Sequence, residues 1–284
     1  MKVYFNIYLS NSSYSLLIGQ ITVLLLPYLA KMKRYTSVII LVTALLSCNN
    51  NSKPANTAQI TKPVENIQAT PAQKDRRAQS EAYCKAHNIP VYSNPNSLFV
   101  DDDNEVTIRT KDEVADRALA LCYIGLKSEG LEQSKLDMFY SKYHIAEKLT
   151  AAEKEYVNSK QPTEQQKIDA NWRYEDLHVM LWALGFTNQL AYPDQLCDVA
   201  QDVKIIHDLT AEEFKTKARL RSKKEILDQA DLILRLNWAC VNARIKNEPA
   251  PGKMDKGVVY ERHYALNWLI KLMNQDWDKV TTDT

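Results

Sequence analysis

Glycine is scarce, with 6 in 284 residues. The chain accordingly carries no Gly-rich phosphate loop and no Gly-x-Ser-x-Gly nucleophile elbow. An excess of either charge is also missing. Lys and Arg number 36 and Asp and Glu 35, a net charge of +1. With no basic stripe, nucleic acid is excluded as a partner. Long apolar runs are few. Leu16 to Leu29 is interrupted by Gln20 and Pro27, and Thr36 to Leu46 is too short to span a bilayer. Cysteine is low at 5, below the density of a small disulfide-stapled scaffold. What remains is 45% hydrophobic and 25% charged residues, which is ordinary globular composition and enough for one sizeable core.

The N-terminal third is organised differently from the rest. Met32-Lys33-Arg34 is a short basic start, Thr36 to Leu46 is apolar, and Leu45-Leu46-Ser47-Cys48 precedes a run of asparagines. That order describes a secretory signal. The cysteine at the cut resembles the lipobox of bacterial lipoproteins. The resemblance implies a lipid on Cys48, removal of everything before it, and a membrane as partner through that lipid. An uncleaved membrane helix is the alternative. Two apolar runs before one lipobox point to Met32 as the true start, or else to an unusually long signal. Residues 1–47 are thus a leader. Asn49 to Arg77 is rich in Asn, Pro, Thr, Ala, Gln and Lys, and cannot bury enough surface to offset its ordering entropy. Residues 48–77 read as a flexible tether and residues 78–284 as a single domain.

The pattern within that domain is mainly α. Thr110 with Glu113, Thr150 with Glu153, Thr163 with Gln166, Thr210 with Glu213 and Ser222 with Glu225 each form [ST]-x-x-[EQ] ahead of a helix-like run. Gly130 and Gly185 fall where helices should end. A small hairpin has room over Leu98 to Ile108, around Asp101-Asp102-Asp103-Asn104. Those acidic residues lack the spacing of a calcium loop. A short helix is expected over Ser80 to His87.

Three helices carry the polar residues of interest. From Ser222 to Lys246, a period of about 100° per residue turns Ile226, Ala230, Ile233, Leu234, Asn237, Cys240, Val241 and Arg244 inward. It leaves Lys224, Asp228, Asp231, Arg235 and Lys246 in water. Val258 to Met273 places Val259, Leu266, Ile270 and Met273 on one stripe, flanked by Arg262 and His263. From Glu164 to Leu184, Ile168, Trp172, Val179, Trp182 and Ala183 share a face with Glu175 at its centre. A carboxylate there needs a cation, and Arg244 or Arg262 of the C-terminal half is expected to supply it. Trp277 is expected to pack back onto the domain.

Blocks within this region resemble the DUF4272 family. They are Asn171-Trp172-Arg173-Tyr174-Glu175, Leu181-Trp182-Ala183-Leu184-Gly185, Cys197-Asp198, Leu220-Arg221-Ser222, Glu225-Ile226-Leu227-Asp228, Leu236-Asn237-Trp238-Ala239 and Gly257 to Trp268. The resemblance covers about Ala78 to Thr284. It implies a compact, mainly helical domain and brings no catalytic residues with it.

Chemistry is thinly signalled. Glu175-x-x-His178 is one step of a di-iron pattern that needs two. Glu261 and His263 point to different faces, so no metal is assigned, and no cofactor. Cys240 and His263 could form a nucleophile pair, but Cys240 is spaced like a small hydrophobe. Cys84, Cys122, Cys197 and Cys240 are expected as free thiols rather than disulfides. Glu175, Asn237, Arg244, Arg262 and His263 form the candidate polar cluster. Two readings follow. One is a lipid-anchored, non-enzymatic binding module of the cell envelope, whose partner is an envelope protein. The other is an enzyme or small-ligand-binding protein that uses the cluster.

Overall fold

Six helix starts among the described residues are closed by reciprocal capping boxes. In each, a Thr or Ser hydroxyl accepts from a backbone N–H three residues on, and the Glu or Gln there accepts from the cap's own N–H. The five expected boxes are all present. A sixth, Thr70 with Gln73, opens a helix that the composition hid. A computed structural model describes residues 67–284; the leader, Cys48 and residues 49–66 lie outside the described residues.

Among the described residues nine α-helices and no strand form an all-α domain. They are α1 Pro71–Ala86, α2 Lys111–Ser128, α3 Gln133–Lys142, α4 Ala151–Asn158, α5 Glu164–Ala183, α6 Val199–His207, α7 Ala211–Lys217, α8 Lys223–Ile245 and α9 Lys256–Leu269. The long helices pack in the spatial row α1, α8, α9, α5, α2. The shorter α3, α4 and α7 pack against α2, and α6 against α5. Val114 to Leu126 of α2 is buried almost all round except at Asp116, as befits a helix surrounded by partners. Gly125 lets α5 come close: a Cβ there would lie 2.5 Å from the Tyr174 ring. Gly130 and Gly185 sit at φ +74 and +76 just past α2 and α5. There the Leu131 and Phe186 N–H groups reach back to the Leu126 and Leu181 carbonyls, closing Schellman motifs.

Several expectations are corrected. The domain does not begin at Ala78, because α1 starts at Pro71, inside the stretch read as tether. Its inward residues are Gln73, Arg76, Arg77, Ser80 and Cys84, so hydropathy gave no sign of them. Arg77 donates to the Ser97 and Asn94 carbonyls at 2.6 and 3.0 Å, and Arg76 pairs with Asp103 and Asp228. The hairpin over Leu98 to Ile108 is not formed. Its backbone acceptors are taken by side chains: Val100 O by Gln73, and Asp103 O and Val106 O by Lys223. Asp102 bonds the Thr70 hydroxyl and the Asn104 amides.

On α8, Asp231 and Arg235 are not in water. Each is 1% exposed, and they pair at 2.8 Å. Helix α8 lies between α1 and α9, so two of its faces are covered. Arg244, expected inside, is exposed in the last turn of α8. Ile168 and Met273 are exposed rather than core, and α9 ends at Leu269, short of Met273.

Candidate functional site

The expected cluster divides into four. Glu175 and Arg262 face one another across α5 and α9, with Arg262 Nε 3.4 Å from Glu175 Oε2. Arg262 also donates to the Ala191 carbonyl at 2.6 Å, and the Cys197 N–H donates to Glu175 Oε1 at 2.5 Å. Both side chains are nearly sealed from solvent. Of the two cations the sequence offered, Arg262 makes the pair. Asn237 lies apart and donates to the Thr282 carbonyl at 3.0 Å, beside Asn267, which does the same to Thr281 at 2.8 Å. Arg244 stays on the surface.

His263 is 1% exposed, and its Nδ1 meets no partner. Burial lowers its pKa to about 3, which keeps the imidazole neutral. Burial raises the Cys240 thiol to about 11. Neither group is therefore poised as half of a nucleophile pair. His178 bonds Asp202 at 2.9 Å while Glu175 is held by Arg262, so the Glu-x-x-His step turns to two different partners. Among the described residues no three His, Cys, Asp or Glu side chains gather as a metal site. Cys84, Cys122, Cys197 and Cys240 stand as free thiols.

A second ionisable group escaped the sequence reading. Arg173 Nη1 donates to Asp176 Oδ2 at 2.8 Å and to Glu261 Oε2 at 3.2 Å. Its guanidinium stacks 5.1 Å from the Tyr264 ring centre. Asp176 is fully buried, with Oδ1 unpartnered. Two carboxylates share one guanidinium here. Burial, and then the mutual repulsion of the acids, raises the Asp176 pKa well above the usual range, and burial raises Glu261. Both acids are thus biased towards their neutral forms. The spacing of Arg173 and Asp176 along one helix was visible in the sequence, but their partner Glu261 lies 88 residues away.

The open surface lies on the outer side of α5, around Trp172. The Trp172 ring packs over Gly257 at the start of α9, where a Cβ would lie 2.4 Å from it. On one side is a cleft of about 420 Å³, walled by the end of α2, by α5 and by the segment entering α6. Ile168, Trp172, Tyr174, Leu196 and Cys197 line it. On the other side is a second cleft of about 420 Å³, reaching Cys240, Arg244 and Tyr260. Trp172 borders both. Ile168 is 50% exposed and Leu196 42%, an unusual pair of large apolar side chains left at the mouth of one concavity.

A family model, described as Domain of unknown function (DUF4272), matches residues 76–280. No curated protein and no solved structure matches the chain.

Proposed function

The chain belongs to the DUF4272 family, and from that premise we propose that it is a non-enzymatic binding module, held at a bacterial cell-envelope membrane by a lipid on Cys48. The reading of the anchor is supported by Leu45-Leu46-Ser47-Cys48 after a basic start and an apolar run. The reading of the domain is carried by one observation: several buried ionisable groups are closed into pairs, while the cleft at Trp172 stays open, with Ile168 and Leu196 exposed at its mouth. Glu175 is matched by Arg262, Asp231 by Arg235 and Glu153 by Arg117. An active site commonly keeps a titratable group free to act near neutral pH. Here His263 is buried and neutral, and the Cys122 and Cys197 thiols are pushed up by burial. Binding at the cleft needs none of these groups to change protonation.

The test places a photo-crosslinking residue at Leu196 or, as a control on the exposed face of α3, at Met138 in the full lipidated chain. Irradiation in cells should give one reproducible envelope adduct from position 196 and none from 138. Trp172→Ala should remove it, and Cys48→Ser should weaken it by freeing the domain from the membrane. Equal adducts from both positions, or an adduct indifferent to Trp172, would defeat the reading.

A further inference from the structure

We infer that the second cleft, between α5, the end of α8 and the start of α9, binds a neutral oligosaccharide. The Trp172 and Tyr260 rings stack on sugar faces, and Arg244, Lys256 and Asp169 bond sugar hydroxyls. This goes beyond the binding-module reading, whose cleft lies on the other side of Trp172, and it does not depend on the lipid anchor.

The aromatic surface comes first, and it is open to solvent. Tyr260 is 45% exposed and Trp172 half-buried, and both line this cleft. The Trp172 ring rests on Gly257, where a Cβ would lie 2.4 Å from it. Gly257 and Tyr260 are three residues apart on α9, so they are neighbours on its surface. The two rings therefore meet the ligand side by side. An indole held against a helix backbone also binds at low ordering cost.

Polar groups of both signs surround the rings, and their heads are largely unengaged. Arg244 and Lys256 are exposed and form no ion pair among the described residues. Asp169 is exposed and accepts from its helix neighbour Gln165 through Oδ1. Asp255 uses Oδ1 alone, on the Gly257 and Val258 N–H groups. A hydroxyl both donates and accepts, so it can serve the cations and the carboxylates alike. A charged ligand cannot. An anion would face Asp169, Asp255 and Glu261, and a cation would face Arg244 and Lys256. A sugar ring has an apolar C–H face for the aromatic rings and an edge of hydroxyls for both sets of polar groups.

The length of the site comes last. The cleft of about 420 Å³ adjoins another of about 550 Å³, which shares Cys240, Arg244, Asp255 and Lys256 and runs on to Glu248 and Pro249. Each lies within the range of small-molecule sites. The joined trough suits linked sugar units rather than one ring.

The β-1,4-linked trimers of glucose, N-acetylglucosamine, glucosamine and glucuronate share a chain shape and differ in charge. Each is titrated by NMR into the full chain carrying Cys48→Ser, following the Gly257 backbone N–H. At least one of the two neutral trimers should shift that resonance to saturation. It should bind about tenfold more tightly than either charged trimer, since like charges oppose each of those. Tyr260→Ala should weaken it about two- to tenfold, the worth of one aromatic contact. Tyr260→Phe keeps the ring and should lose less. Arg244→Met, also at an exposed position, should weaken it about two- to tenfold, the worth of one hydrogen bond. Leu196→Asp should leave it unchanged. No saturation by either neutral trimer, a charged trimer bound as tightly, equal losses in Tyr260→Ala and Tyr260→Phe, or full affinity in Arg244→Met would each overturn the inference. An adduct at Leu196 in cells beside any of these outcomes would leave the binding-module reading standing. Trimer binding without that adduct would remove the binding-module reading and keep the sugar site.

Discussion

At the scale of single residues, His263 sets a pH limit. Its folded pKa is lowered to about 3, against about 6.5 unfolded. The unfolded chain therefore takes up the proton first. Stability from this residue is complete above pH 6.5 and is lost as pH falls towards 3. At pH 5 the loss is about 2 kcal/mol, from 1.5 units at 1.36 kcal/mol each. His263→Leu should remove that loss. Denaturant melts at pH 8 and pH 5 should differ less for the variant, by about 2 kcal/mol. An identical pH dependence in the two proteins would refute the assignment. The sequence marked His263 as a core-flank residue but could not show that its Nδ1 would be left without a partner. Hydrogen-bond satisfaction depends on neighbours from several helices.

At the scale of elements, the α5–α9 contact holds two opposed ionic devices. Glu175 with Arg262 is a matched pair, whereas Asp176 and Glu261 crowd around Arg173 with one carboxylate in excess. Both acids have raised folded pKa values. The sign is opposite to that of His263. Stability from protonating these acids is present below the unfolded carboxylate range, about pH 4, and is lost as pH rises through the folded values. Asp176→Asn keeps an acceptor for Arg173 and removes the excess charge. The variant should melt higher than the parent at pH 8 and no higher at pH 4, as read by calorimetry. A variant less stable at pH 8 would mean that the charge itself holds α5 to α9.

Helix starts were the most legible feature of the chain. A capping box is written within four residues, and five were read from [ST]-x-x-[EQ] alone. The sixth, at Thr70, was passed over because α1 turns arginines and a glutamine inward. The buried Asp231–Arg235 pair was misassigned for a related reason: a period argument assumes one covered face, and α8 has two.

At the scale of the whole molecule, the C-terminal residues close the row of helices. Trp277 is buried between Tyr264 and Trp268 as the third ring of a cluster. Beyond it, the Asn237 and Asn267 amides donate to the Thr282 and Thr281 carbonyls. Removing Thr281 to Thr284 would leave two buried amides short of acceptors, at about 1–3 kcal/mol each. The melting temperature should fall by several degrees. In a background of Asn237→Leu with Asn267→Leu, the same truncation should cost much less. Equal losses in both backgrounds would place the effect elsewhere. The sequence anticipated the return of Trp277 but not the amides that hold the tail. The all-α class was readable from local signals. The cleft was not, because Ile168 read as core and no local signal joined it to Leu196 on a different element.

The six boxes have one more consequence. Where each of these six helices begins is specified by its cap and first turn, not by its distance from the previous helix. The connecting loops therefore carry spacing rather than address. Lengthening an exposed connection, such as Ser159 to Pro162 between α4 and α5, should leave every helix in register, at only the slow logarithmic entropy cost of a longer loop. Insertions and deletions in such a chain would collect between helices, and the punctuation itself would stay where it is.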